Sequence, residues 1–209
     1  MSEFTFLDGE ASGHLACPPG LIVLQEWWGL VPHVKDLCSR FAAEGYLALA
    51  PDLYHGKQTL EAEEAQHLME GLDWARAVVE ITGAVKALRE RGCAKVGVVG
   101  FCMGGALAML AAANSGVDAA VSFYGFPPEA DAVDKPCAPT QIFFGEDEGF
   151  FSVPDAQAWA ATRDGSDVTV YPGAGHAFFN DTRPEAYHEA SAKDAWPKAL
   201  AHFAKHLKG

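Results

Sequence analysis

Basic residues are scarce in this chain: 15 Lys and Arg stand against 28 Asp and Glu, a formal net charge of −13. That balance argues against nucleic acid or an anionic membrane as partner, because both require a basic face. Long hydrophobic runs are missing too. The most apolar helical stretch, GGALAMLAAA, is well short of the about 20 residues that a membrane span needs. No two cysteines form a CxxC pair; Cys17, Cys38, Cys93, Cys102 and Cys137 are scattered and odd in number. That pattern excludes a zinc finger and argues against a disulfide framework, and it suits reduced thiols in a cytosol. The start, MSEFTFLDGE, has neither the basic residues nor the apolar run of a signal peptide. A cytoplasmic protein is expected, with no internal repeat and no low-complexity tract.

Apolar residues are plentiful. At 49% hydrophobic over 209 residues the chain has the material for a sizeable core, and one domain over residues 1–209 is expected. EFTFL and ASGHLAC flank an Asp-Gly pair, which predicts a hairpin. LIVL, YLALA and KVGVVG are short apolar runs of the kind buried on both faces of a sheet. DAAVSFYG, PTQIFFG and DVTVYPG each read as a strand closed by glycine. Helical patterns fall between them: residues 31–45, the long charged stretch 60–91 with Gly71 and Gly83 as candidate breaks, GGALAMLAAAN, 154–162 and 195–207. In the last, Pro197 suits a first-turn position. Strands alternating with helices predict a mostly parallel central sheet covered by helices on both faces. Active groups then belong on the loops at the carboxyl ends of the strands.

One of those loops holds a cysteine. Gly100-Phe101-Cys102-Met103-Gly104 is G-x-C-x-G, followed by Gly105, where KVGVVG gives way to a helix. It is the nucleophile-elbow pattern with sulfur in place of the usual serine oxygen. In so tight a turn the close neighbours must lack side chains, and the nucleophile is lifted clear of the sheet beside a helix N-terminus. A free cysteine is more commonly a small apolar residue packed at a junction. The partners decide between the two readings. A thiol nucleophile needs a base and the base needs an orienting acid, in this fold in the order acid, then histidine. Glu146-Asp147-Glu148 follows PTQIFFG and His176 follows DVTVYPGAG, both at strand ends. By pattern Asp147 is favoured among the three carboxylates, although such a run is ordinarily a solvated turn.

Gln25-Glu26-Trp27 follows the first core strand, where this architecture places a second oxyanion donor. The backbone N–H groups of Trp27 and Met103 are therefore expected to form an oxyanion hole. Glu26, a carboxylate closing an apolar strand, is either a hydrogen-bonded cap or lies near the thiol. Trp28, Tyr124, Phe150 and Phe178 are candidate substrate-binding residues, within a wider aromatic set that includes Phe101, Phe126, Phe151 and Phe179. HFAKH, with His202 and His206, lacks the glutamate of a zinc-binding helix. No metal and no cofactor is expected.

QEWWG, PDLY, GFCMGG, FYG, GEDE and GAGHAFF occur in an order and spacing that resemble the dienelactone hydrolase family over nearly the whole chain. The resemblance implies an α/β-hydrolase fold without a lid domain and a Cys102-His176-Asp147 triad. It further implies that Glu26 holds the resting cysteine as a neutral thiol, and that an ester or lactone is cleaved through an acyl-thioester. One departure concerns substrate choice. Dienelactone hydrolases proper grip a substrate carboxylate with two arginines. Here Asn180 stands four residues after His176, with Arg183 three further on, and residues 54–71 hold Lys57 but no arginine.

Two other readings remain open on the residues. The same triad could act on thioesters or peptide-like amides, and a thiol redox sensor or ligand-binding module could occupy a hydrolase scaffold. The expected partner is a small-molecule ester or lactone, and the expected assembly a monomer or small homo-oligomer.

Overall fold

A computed structural model describes residues 5–7, 17–127 and 129–209. A seven-stranded sheet runs in the order β1-β3-β2-β4-β5-β6-β7. Its strands are β1 (Thr5–Leu7), β2 (Gly20–Leu24), β3 (Leu47–Ala50), β4 (Val96–Phe101), β5 (Ala119–Phe123), β6 (Thr140–Asp147) and β7 (Asp167–Gly175). Only β1 is antiparallel, pairing Thr5 with Ala50; every other neighbouring pair is parallel. The turn and second arm of the predicted hairpin, residues 8–16, lie outside the described residues.

The helices are α1 (Pro32–Ala43), α2 (Ala62–Glu70), α3 (Trp74–Glu90), α4 (Met103–Asn114), α5 (Val153–Ala161) and α6 (Glu189–Leu207). Parallel strands require crossovers, and the crossovers cover the sheet. Strand residues alternate accordingly. Leu21 and Val23 join one core with Leu37 and Phe41 of α1 and Phe203 and Leu207 of α6. Ile22 and Leu24 join the other with Ile81 and Leu88 of α3 and Leu107 and Ala111 of α4. At about 25 cal/mol per Å² of apolar surface, these fully buried side chains supply the main stabilisation of the sheet. This is the α/β-hydrolase arrangement, with no separate lid among the described residues.

Two expectations about helices are corrected. The charged stretch breaks at Gly71, but Gly83 sits inside α3, where open space around it leaves the helix undisturbed. Pro197 is not at a first turn: α6 begins at Glu189 and continues through it. The buried stripe Ala192, Ala195, Ala199, Phe203 and Leu207 packs on the sheet along the whole helix, and that packing outweighs one missing N–H.

Candidate active site

The elbow is built by close backbone approach. Cys102 stands between β4 and α4 with φ 55° and ψ −118°, a conformation costly for any L-residue with a side chain. Its N–H donates to the Phe123 carbonyl at 3.0 Å, and its carbonyl accepts from Gly105 at 2.9 Å and Ala106 at 3.1 Å, so both strand and helix hold the turn. A Cβ on Gly100 would lie 1.8 Å from the Gly104 carbonyl oxygen, and one on Gly104 would lie 2.4 Å from that of Gln25. Three of the four described non-glycine residues with positive φ belong to this neighbourhood: Cys102, Tyr124 and Ala177. Strain of this kind persists where surrounding structure over-determines it.

His176 follows β7 directly. Its Nδ1 lies 3.0 and 2.9 Å from the two carboxylate oxygens of Glu148, so Nδ1 carries the proton and Nε2 is left as an acceptor. Glu148, its side chain fully buried, also accepts the Phe150 N–H at 2.9 Å and the Phe151 N–H at 3.3 Å. Tyr124, Phe150 and Phe151 pack around the imidazole at ring separations of 5.1, 4.6 and 5.9 Å. The expectation for the acid is therefore corrected: Glu148, not Asp147, meets the histidine. Strand alternation and a register shift between Gly145 and Asp147 explain it. Asp147 is exposed, its backbone opposite Gly175, while Glu146 accepts the Gly173 N–H at 3.1 Å.

Glu26 is buried two residues after the end of β2. One of its oxygens accepts the Tyr124 hydroxyl at 2.9 Å and the other the Asn180 side-chain amide at 2.8 Å. Glu26 is thus held by two neutral side chains from other parts of the fold. Burial pushes Cys102 far above the ordinary cysteine range, and the Glu26 charge adds to that. The N–H groups of Met103 and Trp27 act on the sulfur in the opposite sense, favouring the thiolate. Tyr124 is likewise raised well above its ordinary value, by burial first and Glu26 second.

Cys102, Glu26, Trp27, Met103 and His176 all line one cavity of about 780 Å³. Of the expected substrate-binding residues, Trp28 and Phe150 line it as well, and Phe150 is 70% exposed at the rim. Tyr124 and Phe178 do not. Both are fully buried in the aromatic cluster behind the site, 5.6 Å apart, and Tyr124 reaches Glu26 with its hydroxyl instead. Phe101 and Phe179 also belong to that cluster, whereas Phe126 and Phe151 reach the cavity. The sequence reading missed Met69 at the end of α2, Leu72 in the connection and Trp74 at the start of α3, which form a further wall. Their apolar character within a charged stretch is the signal they offered. A second cavity, of about 250 Å³ between α2 and α3, holds none of the expected site residues.

The remaining thiols stand apart. Cys17 and Cys93 are 3.4 Å from one another, sulfur to sulfur, and Cys38 is buried. Among the described residues no cluster of His, Cys, Asp and Glu could hold a metal, and no helix is long and apolar enough to cross a membrane.

Comparison with known proteins points to one family. The model of the dienelactone hydrolase family matches residues 11–207. The protein usf of Aquifex pyrophilus is 35% identical, with 99% of this chain and 98% of that protein covered. A provisionally named carboxymethylenebutenolidase of Aquifex aeolicus is 34% identical, with 100% and 99% covered. Among solved structures, a provisionally named dienelactone hydrolase from Klebsiella pneumoniae superposes with a TM-score of 0.84 at 28% identity, covering 97% of this chain and 99% of that one.

Proposed function

The chain belongs to the dienelactone hydrolase family, and from that membership we propose that it cleaves an ester or lactone bond by acyl transfer to Cys102. The observation that carries the reading is the pairing of His176 Nδ1 with both oxygens of buried Glu148. An imidazole held in that tautomer presents Nε2 as the base in the cavity that also exposes the cysteine.

In the proposed cycle the resting thiol is neutral, kept so by burial and by Glu26. His176 Nε2 takes its proton as sulfur attacks the substrate carbonyl. The resulting oxyanion accepts from the Trp27 and Met103 N–H groups, which already converge on the sulfur. Collapse of the tetrahedral intermediate expels the alcohol, protonated by His176, and leaves an acyl-thioester. Water, deprotonated by the same imidazole, attacks the thioester; the acyl group leaves as the carboxylic acid and the imidazolium returns its proton to the sulfur, restoring the thiol. Glu148 orients the imidazole and stabilises its cationic form throughout. A neutral thiol at rest is also protected from oxidation, which proceeds through the thiolate.

The test is hydrolysis of a 4-nitrophenyl ester, with intact-protein mass spectrometry under rapid quench. A wild-type protein heavier by one acyl group, and a Cys102→Ala variant that neither acylates nor turns over, is the expected result. Full turnover by Cys102→Ala would remove the cysteine as nucleophile.

A further inference from the structure

The cavity holding Cys102 has an unusual charge distribution for a site next to a nucleophile. Four carboxylates line it, those of Glu26, Glu70, Asp155 and Glu185, against one guanidinium, that of Arg183. Arg183 is itself engaged. Its Nη2 lies 2.8 Å and its Nε 2.9 Å from one oxygen of Glu185, and its guanidinium carbon lies 4.4 Å over the Trp28 ring. Those two contacts use its charge and one of its faces. Glu26 is held by the hydroxyl of Tyr124 and the amide of Asn180, both neutral, so neither hydrogen-bond partner cancels its charge. The rest of the lining is largely aromatic and apolar, with Trp27, Trp74 and Met69 prominent.

We propose that this cavity selects uncharged acyl esters with an extended apolar or aromatic acyl chain and rejects carboxylate-bearing ones, with the Arg183–Glu185 pair as the residues that set the selectivity. The inference rests on the acyl-transfer reading for its catalytic readout. A carboxylate brought into a partly desolvated cavity beside Glu26 meets a like charge where screening is weak. The one guanidinium in the lining is already paired with Glu185 and stacked on Trp28. An apolar chain gains from burial against the tryptophans at no electrostatic cost. A cavity of about 780 Å³ has room for such a chain.

Two esters of equal length test this: 4-nitrophenyl pentanoate and the mono-4-nitrophenyl ester of glutaric acid, which differ by a terminal carboxylate. At low ionic strength kcat/KM for the pentanoate should exceed that for the glutarate by about tenfold or more, and the ratio should shrink as salt is added. Glu185→Gln frees Arg183 and should narrow the ratio several-fold; Arg183→Gln should widen it. The same pair is titrated into Cys102→Ala by calorimetry, where the affinity ratio should follow the same order without any turnover. Equal or preferred use of the glutarate at low salt, or a ratio unmoved by Glu185→Gln, overturns the proposal. Selective binding to Cys102→Ala combined with wild-type turnover that survives loss of the cysteine would instead overturn the acyl-transfer reading and leave the selectivity standing.

Discussion

The floor and the outer wall of the cavity are made in different ways. The floor consists of groups set at strand ends by backbone contact: Cys102 after β4, Glu26 after β2 and His176 after β7, with Glu148, after β6, behind the imidazole. Each is locked by several hydrogen bonds or by a turn with no room for one more carbon. The wall, Met69, Leu72 and Trp74 with Trp28 and Arg183, consists of side chains that touch the cavity with their apolar surfaces and are themselves half-buried or stacked. A floor of this kind tolerates almost no change, because shifting one group by an ångström misaligns a proton transfer. A wall of this kind can be resculpted with little damage to the fold. The difference teaches where reaction type resides and where substrate choice resides.

The sharpest way to break the floor is Gly100→Ala. Its new Cβ would overlap the Gly104 carbonyl at 1.8 Å, and backbone cannot swing aside as a side chain can. A loss of about 3 kcal/mol or more is expected, seen as failure to fold or a large fall in Tm by circular dichroism. A variant as stable as the wild type would show that the elbow is less tightly built than its contacts indicate.

Next comes the acid. Glu148→Gln should lower kcat/KM for a 4-nitrophenyl ester by about a hundredfold to ten-thousandfold, since an amide no longer stabilises the protonated imidazole. Asp147→Asn, one residue away but exposed, should stay within about twofold of the wild type. Reversed effects would reinstate Asp147.

Glu26→Gln has a smaller, directional effect on the thiol. The Glu26 charge raises the Cys102 pKa, so neutralising it lowers that pKa, and the pH midpoint of iodoacetamide alkylation should move down. Burial, the larger cause, remains, so the midpoint should stay above that of an ordinary cysteine. An unchanged alkylation profile would show that the carboxylate does not tune the sulfur.

The smallest effect is expected on the wall. Trp74→Ala removes apolar contact with the acyl chain and should raise KM by about three- to tenfold with kcat nearly unchanged. A fall in kcat of the same size as that for Glu148→Gln would erase the distinction between floor and wall.

Much of the floor was legible in the residues. G-x-C-x-G after a buried strand has few structural solutions, because only glycine allows backbone and carbonyl to approach as Gly100 and Gly104 do. His176 was legible from its place after the last strand. The acid was not, because Glu146, Asp147 and Glu148 are chemically close to equivalent and their order does not say which one faces inward. Tyr124 and Phe178 were misplaced as pocket residues for a related reason: an aromatic next to a catalytic loop can face the substrate or the core behind it. Pro197 was misread as a helix start because local propensity is weaker than a long buried stripe.

By itself the sequence determined the alternation of strands and helices, the glycine-flanked corner at Cys102 and the placing of His176 and a run of carboxylates at strand ends, because hydrophobic period and glycine sterics act over a few residues. Only the tertiary structure decided that Glu148 meets His176, that Asn180 and Tyr124 hold Glu26, and that Arg183 is spent on Glu185 and Trp28. Those contacts join residues from separate loops. Which of several similar side chains makes each one depends on strand register, a bulge and the packing of one loop on another, and none of these is a property of a short stretch of chain.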